Sequence, residues 1–95
     1  MDFLSSLVDI EDMKSSSELT KLIPKALKRL RTSKGISQEE LANMANLDRT
    51  YISGFERGIR NVTILSLEKI IKALNIDAKG FAKEILIQAD IEDPK

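Results

Sequence analysis

The sequence predicts an all-α domain of five helices, and three observations carry that prediction. Apolar residues recur at three- and four-residue spacing in successive stretches, the pattern of a helix with one buried face. Helix-starting residues (Ser37, Asp48, Thr63, Asp77) alternate with helix-stopping ones (Gly35, Asn46, Gly58) between those stretches. Finally, 95 residues with 42% hydrophobic and 32% charged content are enough for one small core.

The first helix starts between Ser17 and Pro24, because proline is tolerated in a first turn and disrupts an interior, and it ends at Gly35. Ile23, Leu27 and Leu30 face the core, while Lys21, Lys25, Lys28 and Arg29 spread over the remaining surface. Ser37 and Glu40 have the spacing of a capping box, so the second helix begins near Gln38. Its apolar stripe is Leu41, Met44 and Ala45, with Glu39, Glu40 and Asn43 mostly elsewhere. Asn46 ends it, since Asn tolerates the left-handed conformation of a helix stop.

Asp48 caps a third helix from Arg49 to Arg57. Ile52 and Phe55, with Leu47 before them, point inward, and burial stabilises by about 1.5–3 kcal/mol for each such side chain. The opposite side shows Arg49, Thr50, Ser53 and Arg57. Gly54 costs about 1 kcal/mol relative to Ala in a helix interior, so a close approach at that point is expected. Gly58 stops the helix, and a loop from Ile59 to Val62 leads to Thr63, the cap of a fourth helix with Leu67, Ile70, Ile71 and Leu74 on its core face. Asp77 caps the fifth, which continues through Phe81, Ile85 and Leu86 as far as Ala89. Phe81, Ile85, Ile87 and Ile91 cover more than one side of it, a surplus that fits a homodimer interface or closes the helix over its own domain.

With no Cys and no His, the chain has no thiol, no disulfide and no imidazole, so no metal site, cofactor or catalytic residue is expected. The adjacent Glu39 and Glu40 do not face each other on a helix and make a poor acid/base pair. No apolar run approaches a membrane span and the N-terminus is acidic, which predicts a cytoplasmic protein without a membrane partner. The net charge of zero conceals a segregation: residues 20–72 hold eleven Lys or Arg against five acids, residues 1–19 one Lys against five acids, and residues 73–95 three against five. A basic middle suits a face presented to phosphate, although a lysine-bearing helix face is often only solvated.

Three segments follow: an acidic extension at 1–19, a domain at 20–89 that includes a dimerising last helix, and a tail at 90–95. In the extension Phe3, Leu7 and Ile10 are spaced like one face of a short helix, and Ser15-Ser16-Ser17 has the look of a hinge or cap. Adding to a dimer interface, folding over the core and remaining a mobile arm that disfavours DNA contact are all open to it.

Ser37 to Gly58 has the spacing that a helix-turn-helix uses to set one helix in a DNA groove, and spacing alone equally admits an αα-hairpin in another bundle. From Ile23 to Leu74 the chain resembles the lambda-repressor-like domains of the xenobiotic-response-element family. The residues that carry the resemblance are Gly35-Ile36-Ser37-Gln38-Glu39-Glu40-Leu41-Ala42, Ile52-Ser53, Glu56-Arg57-Gly58, Leu67-Glu68-Lys69-Ile70 and Ala73-Leu74. Leu47 to Gly54 with Arg60-Asn61 looks more narrowly like the controller proteins of restriction-modification systems. Asn46 departs from the Gly of many members and can adopt the same turn.

The resemblance implies a transcriptional regulator that binds double-stranded DNA as a homodimer on a near-palindromic operator, with RNA polymerase as a further partner. Arg49, Thr50 and Ser53 would read base edges, Arg49 by a forked contact to guanine. Gln38, Tyr51, Arg57, Arg60, Asn61 and Thr63 would hold phosphates or position the helix, and Asn61 could instead only bridge its loop. Arg31 and Glu56 would form a structural ion pair. Phe81, Ile85, Ile87 and Ile91 would line the dimer interface. A phage-type repressor and an antitoxin share this fold, and a protein-interaction module would be expected to have lost the polar reading face.

Overall fold

A computed structural model describes residues 19–92; the short helix expected near Phe3 to Ile10 and the end of the tail lie outside the described residues. Five helices follow one another: α1 (Leu19–Ser33), α2 (Gln38–Ala45), α3 (Arg49–Glu56), α4 (Ile64–Ala73) and α5 (Ala78–Glu92). There is no strand among the described residues.

Local chemistry explains most of the boundaries. Ser37 Oγ accepts from the Glu40 N–H at 3.0 Å while the Glu40 carboxylate accepts from the Ser37 N–H at 2.8 Å, the reciprocal capping box. The Ser37 backbone N–H first, and then the Ser37 side chain, hold the Glu40 carboxyl below its ordinary range. Asn46 closes α2 in the left-handed region at φ 56°, and Gly58 follows α3 at φ +79°. Thr63 Oγ1 accepts from Ser66 N–H at 3.1 Å and Asp77 Oδ1 from Gly80 N–H at 2.8 Å, capping α4 and α5.

Pro24 lies inside α1, as its sixth residue. It cannot donate to the Thr20 carbonyl, but Thr20 is exposed in the first turn where water can bond that oxygen. Burial of Leu22, Pro24, Ala26 and Leu27 along the same helix offsets the lost bond.

The core gathers Ala26 and Leu27 from α1, Leu41, Ala42 and Ala45 from α2, Ile52 and Phe55 from α3, Ile70 from α4, Leu74 just beyond it, and Phe81 from α5. α2 packs on both α3 and α4, while α1 spans α3 and α5. Two expectations are corrected. Met44 is 55% exposed, because Leu41, Ala42 and Ala45 already fill the inward side of a two-turn helix. Phe81 belongs to the core of its own chain and Ile85 packs half-buried against it, so neither forms a free apolar strip.

α5 extends three residues past Ala89, to Glu92. Polar links to α1 support that length: Arg29 Nη1 donates to Glu84 Oε1 at 2.8 Å and Lys25 pairs with Glu92. The Lys25 ammonium beside Glu92 holds that carboxyl below its ordinary range. Glu84 is buried and accepts a second bond from the buried Gln88 Nε2 at 3.0 Å, so its carboxylate is satisfied on both oxygens.

Candidate nucleic-acid interface

The site is built on the turn between α2 and α3. The Leu47 N–H donates to the Ala42 carbonyl at 2.8 Å as the chain leaves the left-handed Asn46. Asp48 then accepts from the Thr50 N–H at 2.9 Å and the Thr50 hydroxyl at 2.8 Å, and these bonds hold its carboxyl below the ordinary range, with the Arg60 charge adding to them. Behind this start, Ile52 and Phe55 are fully buried and fix the rotation of α3.

That rotation leaves Arg49 and Thr50 exposed and Ser53 half-buried. The Arg49 guanidinium has no hydrogen-bond or ion-pair partner among the described residues. Thr50 has committed its hydroxyl proton to Asp48, so its oxygen can only accept from an incoming group. Arg57 caps the end of α3 and its Nε makes a long contact to the Ser53 carbonyl, 3.4 Å.

The opposite end of α3 is braced through buried charge. Arg31 Nε donates to Glu56 Oε2 at 2.6 Å and Nη2 to Glu56 Oε1 at 2.9 Å, a two-pronged contact, while Nη1 donates to the Ile36 carbonyl at 2.7 Å. The side chains are 10% and 2% exposed, well out of the regime of weak surface pairs. Gln38 Nε2 donates to the same Glu56 at 3.0 Å. One carboxylate thus ties together the end of α3, the start of α2 and the last turns of α1. The family resemblance, not spacing, implied the Arg31 partner; the bonds to the Ile36 carbonyl and from Gln38 carry no local signal.

The loop from Ile59 to Val62 is held by Tyr51, whose hydroxyl donates to the Asn61 carbonyl at 3.2 Å and accepts from the Thr63 N–H at 3.3 Å. Asn61 contributes its backbone to this brace and keeps its side chain exposed; Thr63 contributes its N–H to the brace and its hydroxyl to the α4 cap. The close approach at Gly54 is the stem of Arg60: a β-carbon there would lie 3.1 Å from Cγ and 3.2 Å from Cδ. Arg60 is thereby laid along the side of α3.

From Arg49 to Thr63 the charged residues are Arg49, Arg57 and Arg60 on the surface and Glu56, whose charge is consumed by Arg31. The result is a short convex helix with Arg49, unpaired among the described residues, and Thr50 on its exposed face, and Arg57 and Arg60 beside its C-terminal end. Such a shape enters a major groove, with cations alongside the flanking phosphates. Sequence reasoning passed over Ile64 and Leu65, both largely exposed at the start of α4; their signal was two apolar residues just after the Thr63 cap, ahead of the Leu67 stripe.

The helix-turn-helix family model matches residues 27–81. The control protein C.BamHI of Bacillus amyloliquefaciens is 48% identical over 59 residues, 61% of this chain and 73% of that protein. Control protein C.MunI of a Mycoplasma species is 51% identical over 60 residues, 62% of this chain and 81% of that protein. The crystal structure of the restriction-modification controller protein C.Esp1396I, a tetramer in complex with its natural 35 base-pair operator, matches with a TM-score of 0.72 at 44% identity, over 75% of this chain and 93% of that one.

Proposed function

The chain belongs to the helix-turn-helix family, and from that premise we infer a sequence-specific DNA-binding transcriptional regulator of the restriction-modification controller type. The single observation that carries the reading is the exposed face of α3, with Arg49 unpaired among the described residues and Thr50 open to accept, on a helix whose far end is clamped by buried Arg31 and Glu56.

Arg49 reads a guanine edge through its fork, Thr50 offers an acceptor and a methyl, and Ser53 lines the same face one turn on. Variants of C.Esp1396I altered at an Arg, a Thr and a Tyr of three successive positions are among the similar solved structures, and Arg-Thr-Tyr occurs in this chain at 49–51. Arg57 and Arg60 hold phosphate, and Asn61 offers its exposed amide beside them. Tyr51, Gln38 and Thr63 act by position, through the loop, the Glu56 clamp and the α4 cap.

The protein acts as a homodimer in the cytoplasm, its two α3 helices reaching major-groove segments about 34 Å apart. Residues 20–89 are the binding unit, flanked by 1–19 and 90–95. Leu86, Ile87 and Ile91 on α5, exposed after Phe81 and Ile85 are taken by the core, are the side chains that pair the subunits. RNA polymerase is a further partner at promoters the dimer activates.

Selecting bound sites from random duplex DNA tests the reading. A shared sequence with two-fold symmetry is expected; selection of no common sequence would sink it. A methylase and an endonuclease gene beside this one would separate the controller from a phage repressor, and a toxin gene would point to an antitoxin.

A further inference from the structure

The first turns of α1 lie against the loop that follows the reading helix. Leu19, Thr20, Ile23 and Pro24 from α1, with Phe55 and Val62, line a recess of about 240 Å³ that Arg60 and Asn61 also line, both of them exposed. Leu19, one of the lining residues, is 59% exposed. Residues 1–18 therefore join the domain beside one of the arginines assigned to phosphate.

That segment has the chemistry to fill the recess. It carries Asp2, Asp9, Glu11, Asp12 and Glu18 against one Lys, and Phe3, Leu7 and Ile10 fall on one face at helical spacing. Three serines at 15–17 permit the chain to turn back just before Leu19. It also lies outside the residues 27–81 that match the family, so nothing in the shared fold employs it. We propose that residues 2–18 dock on their own domain at this recess, apolar face inward and carboxylates toward Arg60, and compete there with DNA phosphate. The competition rests on the DNA-binding reading; the docking does not.

An acidic arm tethered at Leu19 acts at high effective concentration, so weak contacts suffice to hold it. Its attraction is Coulombic at Arg60 and fades with salt, over a range of about 10 Å at 0.1 M and about 3 Å at 1 M. DNA displaces it because the duplex offers a denser row of charge. Any duplex that must displace the arm binds more weakly by the same factor.

The chain has no cysteine, so Ser5→Cys provides a unique position for a nitroxide label on the 95-residue chain. Amide signals of Arg60, Asn61 and Val62 should broaden at low salt and recover at high salt, and also on adding a mixed-sequence duplex of about 30 base pairs, long enough to hold two groove contacts. Absence of broadening at 60–62 overturns the docking whatever the DNA does. Broadening seen only when labelled chains are mixed with isotope-enriched unlabelled ones means that a partner's recess is filled, and overturns docking in cis. In parallel, the 95-residue chain carrying Asp2→Asn, Asp9→Asn, Glu11→Gln, Asp12→Asn and Glu18→Gln should bind the same duplex about tenfold more tightly at low salt. Equal binding overturns the competition. Failure of every variant to bind any duplex removes the DNA-binding reading and leaves the broadening to decide the docking alone.

Discussion

The two ends of the molecule solve different problems with opposite materials. Around α3, short helices are held by caps and by one buried carboxylate shared among Arg31, Gln38 and the end of the helix, so that its outer face can stay polar and unpaired. Along α1 and α5, two 15-residue helices are aligned by Arg29, Glu84 and Gln88, and the outer face of α5 keeps apolar side chains in solvent. In the proposed function, unspent cationic charge would face DNA and unspent apolar area a second subunit.

Removing Glu56 should break the first region most severely. Glu56→Ala leaves the Arg31 guanidinium buried without its partner, a loss on the order of 3–5 kcal/mol, read as a shift of the urea midpoint. A loss below about 1 kcal/mol would place the pair with ordinary surface bridges. Next is Arg49→Ala, which should leave that midpoint unchanged and erase about 1–3 kcal/mol of discrimination at one symmetric base pair, measured by binding to single-substitution operators.

Gly54→Ala sharpens the comparison differently. The added β-carbon would lie 3.1 Å from Arg60 Cγ, so the stem must give by a few tenths of an ångström; DNA affinity should fall, but by less than in Arg60→Ala, while the chain stays folded, a test of whether Arg60 is placed by α3. On the other region, Ile87→Ser with Ile91→Ser should leave the monomer fold intact and move sedimentation from dimer to monomer at fixed concentration. The same change made at Phe81 should unfold the chain, because that side chain is in the core.

The smallest effect is with pH. Asp48 and Glu40 have folded pKa values below their ordinary ones, so the stability they contribute is complete above about pH 4–5 and is lost as pH falls through the depressed values. Helix content should therefore decline below about pH 4, and Asp48→Asn, which keeps a capping side chain, should remove the Asp48 share of that decline.

Much of the fold was legible in the sequence because its signals are local. Ser37 with Glu40, Asp48, Thr63 and Asp77 each act on N–H groups within three residues, and Asn46 and Gly58 need only their own backbone angles. The exposed face of α3 was legible for the same reason, since Ile52 and Phe55 set its rotation over a single turn. The family resemblance supplied the Arg31 and Glu56 pairing, which spacing does not reveal.

Tertiary structure alone decided what depends on groups far apart in the chain. Whether Met44 or Ala45 faces inward was settled by how α2 sits between α3 and α4, and whether Phe81 joins a partner or its own core by how α5 lies on α1. The same holds for Gln38 reaching Glu56 and for the proximity of Arg60 to both Gly54 and the first turns of α1. Hydrogen bonds three residues apart are written in sequence order; packing between helices is written only in the geometry that brings them together.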